Sequence, residues 1–494
     1  MFDRSIPGPT EVVEVSDAAL VAAIADWARA SAAAEARKLV AIAELVRRRC
    51  TEEEHPDWAC DDWDVTAAEV SCALTIGHGR ALGQMDLALT LRDRLPLVGR
   101  RFLSGEISLR TVNTIVWRTA LVRDEDALAQ LDSALAERAA DWGPLSQYKL
   151  EQAVDIWVDK VDPGAVRRTR NRTRDRYFTV GDRDDAAGAT SVFGRLNTPD
   201  AAALEQRLSA MVKDVCDDDP RTMAQRRADA VGAMATGAAH LRCRCGSPKC
   251  SAAADDGRAS SVVIHVIAEQ QSLQESIDPM LDGEGLAAEG SAPQRRKAAL
   301  IPGIRGGIVP APMLAELIAH GAKVRFVGTP AISPEDRYRP SAALQEFIRT
   351  RDLTCRFPGC DRPAVFADID HTVAWPVGST HPGNLKCYCR IHHLLKTFWG
   401  GWSERQLADG TLLISTPSGH TYSTKPLSSL LFPAWNTATE SPPPRGPAPS
   451  PAPGRGLMMP TRRVSRAKAR EYRINAERAL NAAAVAERAE PPPF

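Results

Sequence analysis

The stretch that decides the reading runs Cys355-Arg356-Phe357-Pro358-Gly359-Cys360, then Asp368-Ile369-Asp370-His371, then Asn384-Leu385-Lys386-Cys387-Tyr388-Cys389-Arg390-Ile391-His392-His393. Cys355-x4-Cys360 and Cys389-x2-His392 supply three thiolates and one imidazole, the closed tetrahedral set that structural zinc prefers. Cys387 competes for a place in the set, but Cys389 makes the two-residue spacing to His392 and leaves His393 free. Asp370, His371, Asn384 and His393 are surplus to holding zinc, and an Asp-His pair at this place predicts chemistry beside the metal. Asp368 reads as a strand residue or as a neighbour of a ligand, not as a ligand. The pattern predicts a strand from Val365 to Asp370, a second from Asn384 to Tyr388, and a helix from Ile391 to Thr397 that presents His393.

Working outward, 494 residues predict about two to four folded units. Hydrophobic residues at 44% and charged residues at 25% are values of ordinary globular protein, which excludes a wholly disordered, collagenous or coiled-coil chain. Lys plus Arg and Asp plus Glu both total 62, so any nucleic-acid-binding surface must be a local basic patch. No uncharged apolar run reaches the ~18 residues of a membrane span. The amino terminus lacks a basic segment followed by an apolar one, so no secretory signal and a cytoplasmic address are expected. Of eleven cysteines, seven fall in two short clusters near histidines, which favours metal thiolates over a disulfide framework.

Ser16-Asp17 opens a long amphipathic helix through Cys50, with Leu20, Ile24, Trp27, Leu39, Ile42 and Val46 at helical spacing. Thr66-Ala67-Ala68-Glu69 reads as a capping box starting a second helix to Leu95-Pro96, with further helices from Ser108 and from Asp124. Tyr177 to Val180 and Ser191 to Phe193 suggest a hairpin, and Pro199 and Pro220 stand where helices open. Strands are expected at 261–267 and 323–327, around an exposed insertion from Gln270 to Gly307. The expected units are a helical and α+β domain at 16–328, a linker at 329–340, a compact module at 341–433, and a Pro-rich spacer with a basic tail at 434–494, the tail running on into an Ala-rich helical stretch to Glu490.

Together with Pro376, Gly378 and Lys396-Thr397, the order of residues from Arg349 to Thr397 resembles the HNH endonuclease motif, whose core is a ββα-metal unit. Gly378-Ser379 stands where that family often has two glycines or Gly-Pro, and Ala367 where members often have a cysteine. The resemblance implies phosphodiester hydrolysis, with His371 as the general base, a role suited to an imidazole. It implies that Asp370 and His393 hold one Mg²⁺ or Mn²⁺ that neutralises charge on phosphorus and the leaving oxygen. Asn384 would either orient the loop and His371 or join the metal shell. Upstream, Leu95-Pro96, Gly105-Glu106-Ile107-Ser108, Asp162-Pro163 and the run from Arg221 to Ala230 resemble the domain of unknown function that precedes HNH modules in the 13E12 repeat family. The implied fold class is α+β: a mainly helical N-terminal region with a small sheet, then a zinc-stapled ββα-metal module, then a disordered basic tail.

Weaker signals surround this unit. His240, Cys243, Cys245 and Cys250 offer a second candidate zinc set, although Cys-x-Cys is tight for one tetrahedral ion. Arg167 to Arg176 is a dense basic run, and Arg462, Arg463, Arg466 and Lys468 in the tail are expected to contact DNA phosphates. The sum is a metal-dependent DNA endonuclease with structural zinc. Its rivals are a non-catalytic zinc-containing DNA-binding protein, as in a decayed mobile-element product, and an N-terminal domain that serves a protein partner.

Overall fold

The computed structural model describes residues 6–50, 55–167, 176–182, 185, 188–253, 264–274, 276, 299–304, 307–319, 321–328, 330, 333–440, 442 and 458–489. Ser16 opens α1 (Asp17–Arg49) by accepting a hydrogen bond from the Ala19 amide. The stripe that enters the core starts late, at Ala32, Ala36, Leu39, Ile42, Ala43 and Val46. Ile24 and Trp27, expected on the same face, are 69% and 54% exposed. Small alanines in the second half of α1 let the neighbouring helices approach closely there.

Thr66 does not start the second helix. The Asp61 carboxylate accepts from the Asp64 amide at 3.0 Å and the Asp64 carboxylate from the Asp61 amide at 3.3 Å, a reciprocal cap that begins α2 (Asp62–Leu74) one turn earlier. The chain stops at Thr75, in the left-handed region at φ 52, before α3 (His78–Leu89), so the single helix expected through Leu95 is divided. Pro96 is the first residue of α4 (Pro96–Leu103) and not merely a stop. The Asp132 carboxylate accepts from the Leu97 and Val98 amides at 2.8 and 3.0 Å and fixes that start. Ser108 and Asp124 cap α5 (Leu109–Thr119) and α6 (Glu125–Arg138) as expected, and α7 (Gln147–Val161) completes a helical layer around Leu95, Phe102, Ile115, Leu131, Val154 and Val158.

β1 (Tyr177–Val180) and β2 (Val192–Arg195) form the expected antiparallel hairpin, Val180 opposite Val192. α8 (Thr198–Lys213) carries Pro199 in its first turn, whereas α9 (Met223–Ala235) opens on a reciprocal Thr222–Gln225 cap rather than on Pro220. β3 (Ala299–Leu300) pairs with β4 (Ile308–Val309), followed by α10 (Ala311–Ala319). The strand expected at 323–327 does not form. Val324 and Phe326 are 48% and 71% exposed, and an apolar run without a pairing partner has no ladder to join. Of the strand expected at 261–267, residues 261–263 lie outside the described set and Ile267 makes one bridge to Leu300.

Beyond α11 (Ala342–Asp352) come β5 (Asp368–His371), β6 (Leu385–Tyr388) and α12 (Arg390–Phe398), then an antiparallel sheet in the order β7 (Ser403–Gln406), β8 (Leu412–Ser415), β9 (Thr421–Thr424), and α13 (Leu427–Leu431). This unit shares its core with the helical layer. Ala68 and Cys72 of α2 lie in one buried cluster with Cys355, Phe357, Tyr388, Leu394, Leu395, Leu412 and Ile414. The Trp399 indole N–H donates to the Cys60 carbonyl at 3.0 Å. Gly359, at φ +72, comes so near that a Cβ there would stand 2.4 Å from the Ile76 carbonyl oxygen.

The end of the chain departs most from expectation. The basic tail expected to be disordered is ordered: it leads into α14 (Arg466–Ala489), which takes in the expected Ala-rich helical stretch and docks on the helical layer. Arg462 and Arg466, read as DNA contacts, both clamp Asp61 and Asp64, at 2.9 and 2.6 Å for Arg462 and 2.8 and 2.5 Å for Arg466. Arg478 pairs with Asp162 at 2.7 Å, and the Asn481 amide donates to the Gly164 and Val166 carbonyls at 2.9 and 2.8 Å. Arg463 and Lys468 are exposed. The physical reason is that the Asp61–Asp64 cap concentrates two buried carboxylates, which require counterions. Burial pushes the Asp64 carboxyl upward, yet the His78 hydrogen bond and Arg466 bring it down to about 2. Asp64→Ala removes a shared partner of both arginines, and breaking such a buried network costs on the order of 3–5 kcal/mol. Denaturant titration should register that loss, and limited proteolysis should cut the variant near Met458 sooner than the parent.

Among the described residues, no helix is long and apolar enough to cross a membrane.

Candidate metal centre and the hairpin beside it

Asp352, at the end of α11, organises the approach to the site. Its buried carboxylate accepts from Arg351 at 2.8 Å, Arg356 at 3.1 Å and the Cys387 amide at 2.7 Å. Arg351 donates onward to the Pro382 and Leu385 carbonyls at 2.9 and 2.8 Å, which fixes the start of β6. Cys387 is thereby turned into the core, its sulfur 3.9 Å from the Ile348 carbonyl. Cys389 lies beyond the strand, as the N-cap of α12, and is free to face the other way.

The ligand atoms of Cys355, Cys360, Cys389 and His392 all lie within 4.8 Å of one another. Nδ1 of His392 is 3.4 Å from the Cys355 sulfur and 3.2 Å from that of Cys389. Tetrahedral zinc, with bonds of roughly 2.1 to 2.3 Å, sets its ligand atoms roughly 3.4 to 3.8 Å apart, so the expected four fit a zinc ion. Phe357 stacks on the His392 ring at 3.9 Å between centroids and holds its orientation. Burial drives the Cys355 thiol up, while hydrogen bonds from Cys355 and Cys360 hold Cys389 well below the ordinary thiol range.

A second group could also hold a metal ion, with its composition corrected: Cys216, Cys243, Cys245 and Cys250, again within 4.8 Å. Cys216 replaces His240 in the expected set. It arrives from the turn after α8, and a separation of 27 residues from Cys243 hid it from a reading of local spacing.

Beside the first group, β5 and β6 pair antiparallel with Asp370 opposite Lys386 and His371 opposite Leu385. His393, one turn into α12, places Nδ1 2.9 Å from Asp368 and Nε2 3.5 Å from Asp370, so Asp368 orients the imidazole. Asp370 accepts from Lys386 at 2.8 Å and from Lys396 at 3.2 and 3.0 Å through its two oxygens. Burial opposes the charge on Asp370, but Lys386 and Lys396 bring its carboxyl down to about 2. Lys386 is fully buried and also pairs with Glu404 at 2.8 Å. Neither Lys386 nor Glu404 was expected; the cross-strand register could have disclosed the first, whereas Glu404 arrives from a different sheet.

His371 is buried, its Nε2 2.9 Å from the Thr380 hydroxyl, with the Tyr338 ring stacked on it at 5.4 Å. Burial pushes its pKa down to about 4 against the pull of Asp370, so the ring is neutral at pH 7. Asn384 commits its whole amide to the loop that precedes it: Oδ1 accepts from the Val373 amide at 2.8 Å, and Nδ2 donates to the Val373 and Ser379 carbonyls at 3.0 and 2.9 Å. Gly378 permits the clamp, since a Cβ there would lie 2.0 Å from the Val373 carbonyl oxygen and 2.5 Å from Asn384 Nδ2. Gly378→Ala should therefore lower stability by roughly 1–3 kcal/mol, the usual cost of forced overpacking, as a thermal melt would register.

Of the basic run, Arg168 to Arg174 lie outside the described residues. Arg167 sits over the Trp117 ring at 3.7 Å and pairs with Glu477 of α14 at 3.4 Å.

Residues 26–352 match the family described as "Domain of unknown function (DUF222)". The chain belongs to the DUF222 family. The relatives "Uncharacterized protein MT2160" and "Uncharacterized protein Rv2100" of Mycobacterium tuberculosis (strains CDC 1551 / Oshkosh and ATCC 25618 / H37Rv) are each 53% identical over 513 residues, covering 100% of this chain and 93% of their own. "Uncharacterized protein Rv3776" of the H37Rv strain is 52% identical over 499 residues, covering 100% of this chain and 95% of its own. No solved structure matches. The DUF222 match takes in the four-cysteine group and ends just before Cys355, so the hairpin and its Cys/His group follow the DUF222 region.

Proposed function

We propose that this DUF222 protein is a metal-dependent DNA endonuclease that hydrolyses phosphodiester bonds at an HNH-type site built on β5, β6 and α12. The observation that carries the reading is the convergence of a neutral, buried His371 with Asp370, Asn384 and His393 on a hairpin and helix beside the three-thiolate, one-imidazole group. Zinc in that group would staple the fold, with no part in bond breaking.

His371 is the base. The Thr380 hydroxyl donates its hydrogen bond to the Arg337 carbonyl at 2.5 Å, so it accepts from Nε2 of His371 and leaves the lone pair on Nδ1 for a water proton. Asn384 keeps the 373–379 loop closed around this ring. Asp370 Oδ1 and His393 Nε2, 3.5 Å apart, suit two ligands of one hard cation. A bound Mg²⁺ or Mn²⁺ would offset charge on phosphorus and on the leaving oxygen. His371 must be neutral to act, so activity is present above its pKa and lost as pH falls through it. The acid limb of kcat/KM should therefore lie near 4, not near the ordinary imidazole value, and a limb close to pH 6.5 would remove the burial argument.

One observation favours a second reading, a DNA-binding protein without catalysis: Lys396 stands 3.2 Å from the same Asp370 oxygen that the cation would use, and an ammonium there competes with it. Nicking of supercoiled plasmid by the full chain separates the two. The endonuclease reading expects nicking with Mg²⁺ or Mn²⁺ that chelator abolishes. Binding of the plasmid without nicking under any divalent ion would favour the second.

A further inference from the structure

We propose that Cys216, Cys243, Cys245 and Cys250 bind one zinc ion as a tetrathiolate that ties the loop after α9 to the end of α8, a structural site inside the DUF222 region. The inference is independent of the nuclease reading, because no residue of the hairpin takes part.

Four sulfurs drawn from two separate segments converge within 4.8 Å, and those of Cys216 and Cys243 stand 3.3 Å apart. Zinc–thiolate bonds of roughly 2.3 Å place tetrahedral sulfurs roughly 3.8 Å apart, so an ion enters with only small movements. Cys-x-Cys serves one ion here because the chain bends at Cys245, which lets both sulfurs join the same group.

The scaffold around the sulfurs is built without them. The Asp219 carboxylate, whose side chain is 0% exposed, accepts from Arg221 at 2.8 Å and from the Arg244 amide at 2.8 Å. Arg221 also donates to the Arg242 carbonyl at 2.8 Å, and the Cys243 amide donates to the Ala252 carbonyl at 2.8 Å. The loop is therefore held in its course by Asp219 and Arg221, and the thiols are left to converge on a point between them.

Size favours metal. The local core comprises little beyond Leu208, Met211, Val212, Val215, Ala230 and Leu241, the kind of small unit that a metal staples. Three of the four cysteines are only partly buried, which leaves them open to oxidation unless coordinated.

The test is a zinc count on the full chain purified under reducing conditions. The expected content is about two ions per chain, falling to about one in Cys243→Ser and in Cys250→Ser and staying at about two in His240→Ala. Should a serine variant fail to fold, alkylation of the wild type decides: with zinc bound the four cysteines resist iodoacetamide, and chelator exposes them together. Zinc content left undiminished in Cys243→Ser, four thiols that alkylate freely beside bound zinc, or a Cys216–Cys243 disulfide in the reduced preparation would each overturn the proposal.

Discussion

Cys389→Ser should strip the metal from the Cys355 group and unfold the unit around β5, β6 and α12, whereas Cys387→Ser should keep both metal and fold. Cys389 contributes a ligand within 3.2 Å of His392 Nδ1, while Cys387 faces the Ile348 carbonyl from inside the core. Structural zinc contributes roughly 10–16 kcal/mol of apparent binding free energy in small domains at neutral pH, which matches or exceeds the roughly 5–15 kcal/mol total stability of a folded domain. Part of the effect should spread to the helical layer, because Ala68 and Cys72 share the core of Phe357 and Leu394. Zinc content with denaturant unfolding checks both variants. Metal lost from Cys387→Ser and kept in Cys389→Ser would reverse the ligand assignment.

His371→Ala should fold normally and lose plasmid nicking by a factor of about 10² to 10⁴, the usual contribution of a general base. The substitution leaves the Asp370–Lys386–Glu404 network and the Cys/His group intact, since the His371 side chain hydrogen-bonds to Thr380, stacks on Tyr338 and lies tilted against Trp375. Unchanged circular dichroism and zinc content with lost nicking is the expected pair of results. Full activity would remove His371 from the base role.

Some of this was legible one residue at a time. Ser16, Ser108 and Asp124 announce helix starts because a side-chain oxygen before an apolar periodicity satisfies the first free amides locally. The Cys355, Cys360, Cys389 and His392 set was legible because short spacings within each half constrain where its ligands can go. The hairpin and helix around His371 were legible for the same local reason.

Where charge had to be balanced across the fold, the sequence was silent. Arg462 and Arg466 look identical to phosphate-binding arginines in the chain, and only the arrival of α14 beside Asp61 and Asp64 turns them inward. Lys386 is buried because Asp370 and Glu404 converge on it from two different sheets. Cys216 displaces His240 because α8 returns its end to the loop near Cys243. By itself the sequence determined the helix starts at Ser16, Ser108 and Asp124, the hairpin and helix around His371 and one four-ligand group, since each rests on neighbours within a few residues. The tertiary structure alone decided which charges pair, which cysteine completes the other group and which imidazole is neutral, because burial and counterions are set by segments that meet only when the chain has folded.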